Sequence, residues 1–280
     1  MITYYLGIPE HPFAVFITLA VVGFSFFLVL AALSHAFFFK WKKQRFHPDY
    51  KPDIKQIRQS LKWSAYSIGG NALLMLPLHM LIIAGHSQVY YRVDDYGWPW
   101  LITSALLILL ISETMTYWIH RALHGKWLFK HIHKPHHDFR VPTPWAGVAF
   151  NPLDSFAQAF PHHLCVFLFP VHAGVYTLFI SFVTVWAVMI HDRLSFMPWR
   201  GINYTGHHTL HHWYYNCNYG QFFTFWDRIG GTYRDPEEVH DRIPKSVLRP
   251  HITRGWFKKN QPSKPAASLP DAHSALSAES

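Results

Sequence analysis

No charged residue interrupts the chain between Phe13 and Phe39. At ~1.5 Å rise per residue, a helix over that run is about 40 Å long, more than the hydrocarbon core of a bilayer requires. Lys40, Lys42, Lys43 and Arg45 follow it, then Lys51, Lys55, Arg58 and Lys62. Basic loops stay on the cytoplasmic side, so this stretch is expected there and the N-terminus outside. Trp63 to Ile83 forms a second predicted span, interrupted by Gly69, Gly70 and Pro77. The loop from Gly85 to Gly97 sets Arg92 against Asp94 and Asp95. Trp98 to Ile119 predicts a third span returning to the cytoplasm, with Trp98 and Trp100 where an aromatic belt would lie. Phe156 to Ile190 then runs without Asp, Glu, Lys or Arg. That is too long for one helix and is cut by Pro161, Pro170 and Gly174, so a helical hairpin or two short spans should bring the chain back to the face it left. Beyond Lys258 the chain is rich in Ser, Ala and Pro without periodicity and is expected to be disordered. The expected organisation is an N-terminal transmembrane region (1–95), a second region (96–257) and a tail (258–280).

Composition agrees. Half of the 280 residues are apolar and 15% are charged, which suits a membrane protein. A formal net charge of +9 could point to nucleic acid, but the basic residues flank the apolar runs, which points to a membrane surface and excludes that partner. The start lacks the basic segment and small-residue cleavage site of a removable signal peptide. Cys165 and Cys217 make no disulfide framework, and Cys217 is read as a packed thiol.

The chemistry lies in the 22 histidines. Three short boxes hold most of the informative ones: His120-Arg-Ala-Leu-His124, His133-Lys-Pro-His136-His137 and His207-His208-Thr-Leu-His211-His212. Spacings of three and four put imidazoles on one helix face. A buried imidazole must satisfy its ring nitrogens, and metal ions answer that demand for so many rings together. The parity of the spans places the first two boxes, His191 at the end of the last apolar run, and the third box on one side. The prediction is an all-α integral membrane protein with about four transmembrane helices or hairpin segments and a cytoplasmic, histidine-rich helical cap over two metal ions. No His-Glu-x-x-His occurs, which disfavours a metalloprotease. A membrane metal transporter would place its site nearer the bilayer midplane.

The first two boxes, then Val141-Pro-Thr-Pro-Trp145, Val185-Trp-Ala-Val-Met-Ile-His-Asp192, the third box, Asn218-Tyr-Gly-Gln221 and Phe225-Trp-Asp-Arg-Ile-Gly-Gly-Thr232 resemble the sterol desaturase branch of the fatty acid hydroxylase superfamily. They are more similar to its sterol C5-desaturases (lathosterol oxidases) than to its hydroxylases. The resemblance runs from Tyr96 to Pro236 and is weaker from Phe46 to Tyr96. It makes 96–257 the catalytic domain. It implies an endoplasmic-reticulum membrane enzyme, if the source is eukaryotic, with a non-haem di-iron centre. Such an enzyme uses O2 and electrons supplied from outside, by cytochrome b5 and its NADH-dependent reductase or another carrier, to form a C5–C6 double bond in a Δ7-sterol. Zinc would also bind such a site in recombinant protein. One departure is Asn151-Pro152, where relatives often have His-Pro. A fatty acid or sterol methyl hydroxylase of the same superfamily is the nearest alternative.

Box spacing and resemblance together nominate His120, His124, His133, His136, His137, His208, His211 and His212 as metal ligands, with His191 completing the set. His207 is counted as a ligand or as a ring that orients one. Glu113, two helical turns before His120 inside a span, together with Asp154 and Asp192, is expected to act at the site by accepting imidazole N–H groups. Asp227 is read either that way or as a helix cap, and Asn218, Tyr219 and Gly220 either touch substrate or shape a turn. Trp145, Phe150, Phe156 and Phe160 are candidates for an apolar substrate path. His162 and His163 are expected in the core or the channel, and His131 at the surface. An acidic electron carrier is expected on the basic face formed by Lys126, Lys130, Lys134 and Arg140.

Overall fold

The computed structural model describes residues 9–139, 141–195, 199–239 and 251–252. Arg140 and the predicted tail, 258–280, lie outside the described residues. Helix α1 (Pro12–Ser34) starts with Pro12 in its first turn and His11 accepting the Phe13 N–H at 3.3 Å; proline suits that position because its missing donor is not needed there. The helix continues as wider π-type turns over His35–Trp41. Helix α2 (Ile54–Ile83) starts at Asp53, whose carboxylate accepts the Gln56 N–H at 3.0 Å. It therefore begins well before the predicted Trp63. Hydropathy stops at Lys62, but the helical hydrogen bonds continue through exposed Lys55, Arg58 and Lys62. Helix α3 (Gly97–Leu123) runs past the predicted Ile119 and carries the first histidine box in its last turn and cap.

Phe156 to Ile190 forms the predicted hairpin: α4 (Pro152–Leu168) and α5 (Ala173–Ile190). Pro161 is tolerated inside α4, while Pro170 lies in the turn. At the tip, strand β2 (Val171–His172) pairs in parallel with β1 (Val89–Tyr90), Val89 opposite Val171. This two-residue pair fastens the hairpin to the loop after α2, and no alternation in the sequence announced it. Beyond α5 come β3 (Leu194–Ser195), which pairs in parallel with β4 (His251–Ile252), then α6 (Thr205–Tyr214) and the short α7 (Phe225–Ile229).

Among the described residues four helices are long and apolar enough to cross a membrane: Pro12–Trp41, α2, α3 and α5. Their outward faces are apolar stripes. Phe13, Ile17, Val21, Val29 and Leu33 on α1, and Trp98, Ile102, Leu106, Leu110 and Trp118 on α3, are exposed. Residues four apart are neighbours on a helix surface, so each set forms a row that winds slowly around its helix, and water would not tolerate such surfaces at this length. The inward faces include many small or polar residues: Ser60, Ser64 and Ser67 on α2, Ser104, Ser112 and Glu113 on α3, all buried. Small residues let helices approach closely where lipid gives no hydrophobic drive between them.

Helix α4 is not one of the four. It packs against both α2 and α3, with Asp154, His162 and His163 buried. It packs tightly on α2 at Gly70, where an added Cβ would stand 2.5 Å from Pro152. At Gly69 nothing lies within 4 Å. Gly70→Ala should therefore destabilise the protein by about 1–3 kcal/mol through overpacking, while Gly69→Ala should be neutral or slightly stabilising. Thermal unfolding of the two variants in detergent checks this, and equal melting temperatures would refute the close approach.

Candidate metal centre

Five elements deliver the imidazoles. Helix α3 ends in His120 and His124. A π-type turn, Phe129–His133, and the short helix Lys134–His137 carry the second box. His191 caps the C-terminus of α5, and α6 carries His208, His211 and His212. Thr205, opening α6, donates to the Met189 carbonyl at 3.1 Å, which joins α6 to the end of α5. Tyr215 closes α6 at φ 64.

The rings sort into two groups that cut across the boxes. His120, His124, His133, His137 and His211 form one; His136, His191, His208 and His212 form the other. In each group the ligand-capable atoms lie within 4.8 Å of one another. The pairs 120/124, 133/137 and 208/212 stay together because residues four apart share a helix face. His136 and His211 diverge from their box neighbours for the same reason.

Ring tautomers follow from the partners. A backbone carbonyl only accepts, so each ring nitrogen bonded to one must carry the hydrogen. His120 Nδ1 thus donates to the Tyr219 carbonyl at 2.8 Å, His211 Nδ1 to Cys217 at 2.8 Å, and His191 Nδ1 to Ala187 at 2.6 Å. His133 Nδ1 lies 2.6 Å from the carboxylate of Asp154, both side chains fully buried, and the other Asp154 oxygen takes the Gln158 amide at 2.7 Å. Each of these rings therefore turns a bare Nε2 lone pair inward.

Those lone pairs face one another. Nε2 of His133 lies 3.2 Å from that of His120 and 3.1 Å from that of His137. In the second group Nε2 of His191 lies 3.0 Å from that of His208 and 3.3 Å from that of His212, and those two lie 3.1 Å apart, so no choice of tautomers turns all three contacts into hydrogen bonds. Nε2 of His124 and of His211 has no hydrogen-bond partner among the described residues. Acceptor facing acceptor is repulsive unless a cation sits between. At ~2.1 Å from a metal, neighbouring nitrogens stand about 3.0 Å apart in octahedral and about 3.4 Å apart in tetrahedral geometry. The observed spacings fall in that interval, so the residues present fit one ion in each group.

Electrostatics agree. Burial, reinforced by neighbouring imidazoles, holds His124, His136, His137, His208 and His212 well below the usual histidine range. Burial lowers His191 to about 4 and, with His133 beside it, His211 to about 3. Neutral imidazole is the form that binds metal.

Other nominated residues stand at one remove. His207 is in neither group; its ring packs edge-on against Tyr204 and near Tyr233, with centroids 4.4 and 5.5 Å away, and burial lowers it to about 3. Glu113 holds backbone and not an imidazole: its carboxylate accepts the N–H groups of Phe222 and Phe223 at 2.8 and 3.2 Å. Asp192 accepts the Leu194 N–H at 2.8 Å, and its own carbonyl takes His47 Nε2 at 2.9 Å. Asp227 holds the N–H groups of Tyr219 and Gly220 at 2.8 and 2.9 Å and the Thr232 hydroxyl at 2.7 Å; burial raises its pKa. Of the carboxylates expected to accept an imidazole N–H, the structure brings Asp154 to a ring, whereas Glu113 and Asp192 hold backbone. Asn218, at φ 56, clamps Arg234 through its N–H at 2.9 Å and its carbonyl at 3.1 Å. Asn218, Tyr219 and Gly220 thus shape the loop that presents the Tyr219 carbonyl to His120. At Gly220 a Cβ would run into the Phe223 carbonyl and the Asp227 carboxylate. His131 is exposed.

Sequence reasoning missed two residues here. Arg193 is fully buried at φ 59 with its guanidinium 5.5 Å from the Phe39 ring centroid, and His47 ties the segment after α1 to the end of α5. Both contacts join residues far apart in the chain, and no periodicity signals them.

A cavity of about 440 Å³ opens onto His120, His136, His191 and His208 and is walled by α1, α2, α4 and α5. Its walls are mainly apolar, as ligand sites are. Of the four aromatics expected along a substrate path, Phe150 lines it, stacked on His136 at 4.1 Å. Trp145 packs instead with the core around Phe27 and Val188, and Phe156 and Phe160 pack on each other; the cavity wall is built by helices that the sequence pattern could not orient. His162 and His163 line its deeper part, and His163 bonds the Tyr176 hydroxyl.

The geometry defines a membrane-type helical protein with two adjacent imidazole clusters at the end of an apolar cavity. Residues 105–232 match the model of the fatty acid hydroxylase family. A Δ7-sterol 5(6)-desaturase of Gibberella zeae is 39% identical over 82% of this chain and 72% of its own length. Lathosterol oxidases of Rattus norvegicus and Homo sapiens are 36% and 34% identical over 81% and 83% of this chain, and 77% and 78% of their own. The chain belongs to the fatty acid hydroxylase family. No solved structure matches it.

Asp154→Asn keeps the shape but removes the charge that fixes His133. Metal affinity, measured by competition with a chelator, should fall 10–100-fold; unchanged affinity would show that Asp154 does not orient a ligand. The imidazoles also set a pH dependence. Their folded-state pKa values lie below the unfolded value of ~6.5, so the unfolded chain binds more protons between that value and about 4 for His191 or about 3 for His211. Stability is therefore fully present above about pH 6.5 and should decline as pH falls through that window. A melting temperature that does not drop from about pH 7.5 to about pH 5 would contradict buried neutral histidines.

Proposed function

We propose that this chain is a membrane-bound, di-iron, O2-dependent sterol C5-desaturase that introduces the C5–C6 double bond into a Δ7-sterol. The observation that carries the reading is the pairing of two imidazole clusters with an apolar cavity opening onto them, in a chain whose relatives are named for that reaction. An unactivated C–H bond needs an oxidant stronger than any side chain, and two iron ions with O2 would supply it when bound. His120, His124, His133, His137 and His211 would hold one ion and His136, His191, His208 and His212 the other. Asp154 and the carbonyls of Tyr219, Ala187 and Cys217 would keep the donor rings oriented. The cavity walls hold an apolar substrate against both clusters and keep water out.

Desaturation takes two hydrogens from the substrate and consumes one O2, so two electrons must come from a carrier. Lys126, Lys130 and Lys134 are exposed beside the second box, next to exposed Trp127. A basic face with an aromatic at its centre suits an acidic carrier such as cytochrome b5, reduced by its NADH-dependent reductase. The same end of the protein carries the basic start of α2: the Gln56 side chain donates to the Val141 carbonyl at 2.9 Å. The concentration of lysine and arginine there supports a cytoplasmic active site in the endoplasmic-reticulum membrane.

The test is product analysis after supplying a Δ7-sterol, NADH, reductase and cytochrome b5. The expected product lacks two hydrogens and has gained a C5–C6 double bond. A product carrying an added oxygen would replace desaturation with hydroxylation, and no change in any sterol would sink the reading. In the same assay His136→Ala and His211→Ala, one from each cluster, should each abolish turnover and lose one ion of the pair.

A further inference from the structure

In the described spanning helices Thr18, Thr103, Thr114, Thr177, Ser181 and Thr184 each donate to the carbonyl four residues earlier. That is the usual way a membrane helix satisfies such a group. The buried hydroxyls of Ser34, Ser60, Ser67 and Thr116 have no partner among the described residues, and of these Thr116 is the one on the cavity wall. Gln221 shares this state: Trp186 Nε1 takes its backbone carbonyl at 2.7 Å, but its side-chain Oε1 is buried in the cavity wall without a partner.

The two residues are held alongside one another. On α3, Thr116 lies between Glu113 and His120. On the loop, Gln221 lies between Tyr219 and Phe222. Glu113 bonds the Phe222 N–H and His120 bonds the Tyr219 carbonyl, so the loop runs beside the helix with Thr116 and Gln221 in the interval between two fixed points. An unsatisfied buried polar atom costs ~1–3 kcal/mol, and two of them at one place in an apolar cavity ask for a ligand with both a donor and an acceptor.

We propose that Thr116 and Gln221 form the subsite that binds the 3-hydroxyl of the sterol and so sets C5 and C6 before the imidazole clusters. This rests on the desaturase reading. The substrate hydroxyl donates to Gln221 Oε1 and accepts from Thr116 Oγ1. Asn71 Oδ1, on α2, is a further acceptor in the wall without a partner among the described residues, but α2 sets no hydroxyl into the wall beside it. Bond lengths decide between this place and the polar part of the cavity around His162 and His163. Three single bonds of ~1.5 Å separate C5 from the hydroxyl oxygen, so that oxygen stays within about 4.5 Å of C5. His162 lies eight residues beyond Asp154 on α4, ~12 Å deeper. The deep histidines cannot reach the hydroxyl while C5 is at the metal site. Thr116, one turn before His120, can.

The experiment compares kcat/KM for a Δ7-sterol and for its 3-deoxy counterpart, with metal content measured alongside. Wild-type protein should prefer the hydroxyl-bearing sterol ~10-fold or more, since a site built for a hydroxyl discriminates against its loss. T116V and Q221M should each cut that preference ~3–10-fold, mainly through KM of the hydroxyl-bearing sterol, with both ions retained. Thr116→Ser should restore it. A wild-type ratio near one overturns the subsite without any variant, and so does a ratio that survives both substitutions. Wild-type protein inactive on both sterols would instead overturn the desaturase reading, and the subsite with it.

Discussion

Nitrogen lone pairs pointed at one another are the constraint on which this structure turns. His133 and His191 each donate Nδ1–H outward, to Asp154 and to the Ala187 carbonyl, which leaves Nε2 facing other Nε2 atoms at 3.0–3.3 Å. No set of tautomers can make every such contact a hydrogen bond: outward partners fix His120 and His133 both as acceptors at Nε2, and the three mutually close nitrogens of His191, His208 and His212 cannot all pair donor to acceptor. A cation resolves the conflict, and its charge would outweigh every other term in so buried a place. The histidines are consequently not three boxes in space but two clusters, each assembled from residues four apart on different helices.

Holding those rings demands rigid surroundings, and two buried carboxylates supply them indirectly. Glu113 and Asp227 accept five hydrogen bonds from the loop and turn around Tyr219–Thr232. The loop in turn offers the Tyr219 carbonyl to His120. An intramembrane carboxylate is costly and marks a site. Here its partner is backbone rather than an imidazole, and the absence of a side chain at Gly220 is what lets the loop come close enough.

The membrane-type architecture serves the same end. With apolar stripes outward and serines inward, α2, α3 and the enclosed α4 approach closely at the metal end, where Gly70 meets Pro152 and Asp154 meets His133. Deeper in, the helices part around the cavity. The family's chemistry needs an apolar substrate brought against charged ions, and this arrangement gives one cavity a polar floor and apolar walls.

Much of this was legible in the chain. Runs without charge located the helices, because only a satisfied backbone can cross lipid, and spacings of three and four exposed the imidazoles. The extents differed where hydropathy and hydrogen bonding disagree, as at Asp53, which starts α2 well before its apolar part. What the sequence could not decide was pairing across distance. The division of the second box between two clusters depends on how the short helix Lys134–His137 is turned toward α3 and α6. The carboxylate that meets a ring, Asp154 and not Glu113, depends on α4 lying inside the bundle. Trp145, Phe156 and Phe160 carry the same apolar signal as Phe150, yet only Phe150 faces the cavity. Periodicity reports the face a residue occupies on its own helix. Which neighbour that face meets is set by tertiary packing, and from there come the ligand sets, the tautomers and the unpaired atoms of Thr116 and Gln221.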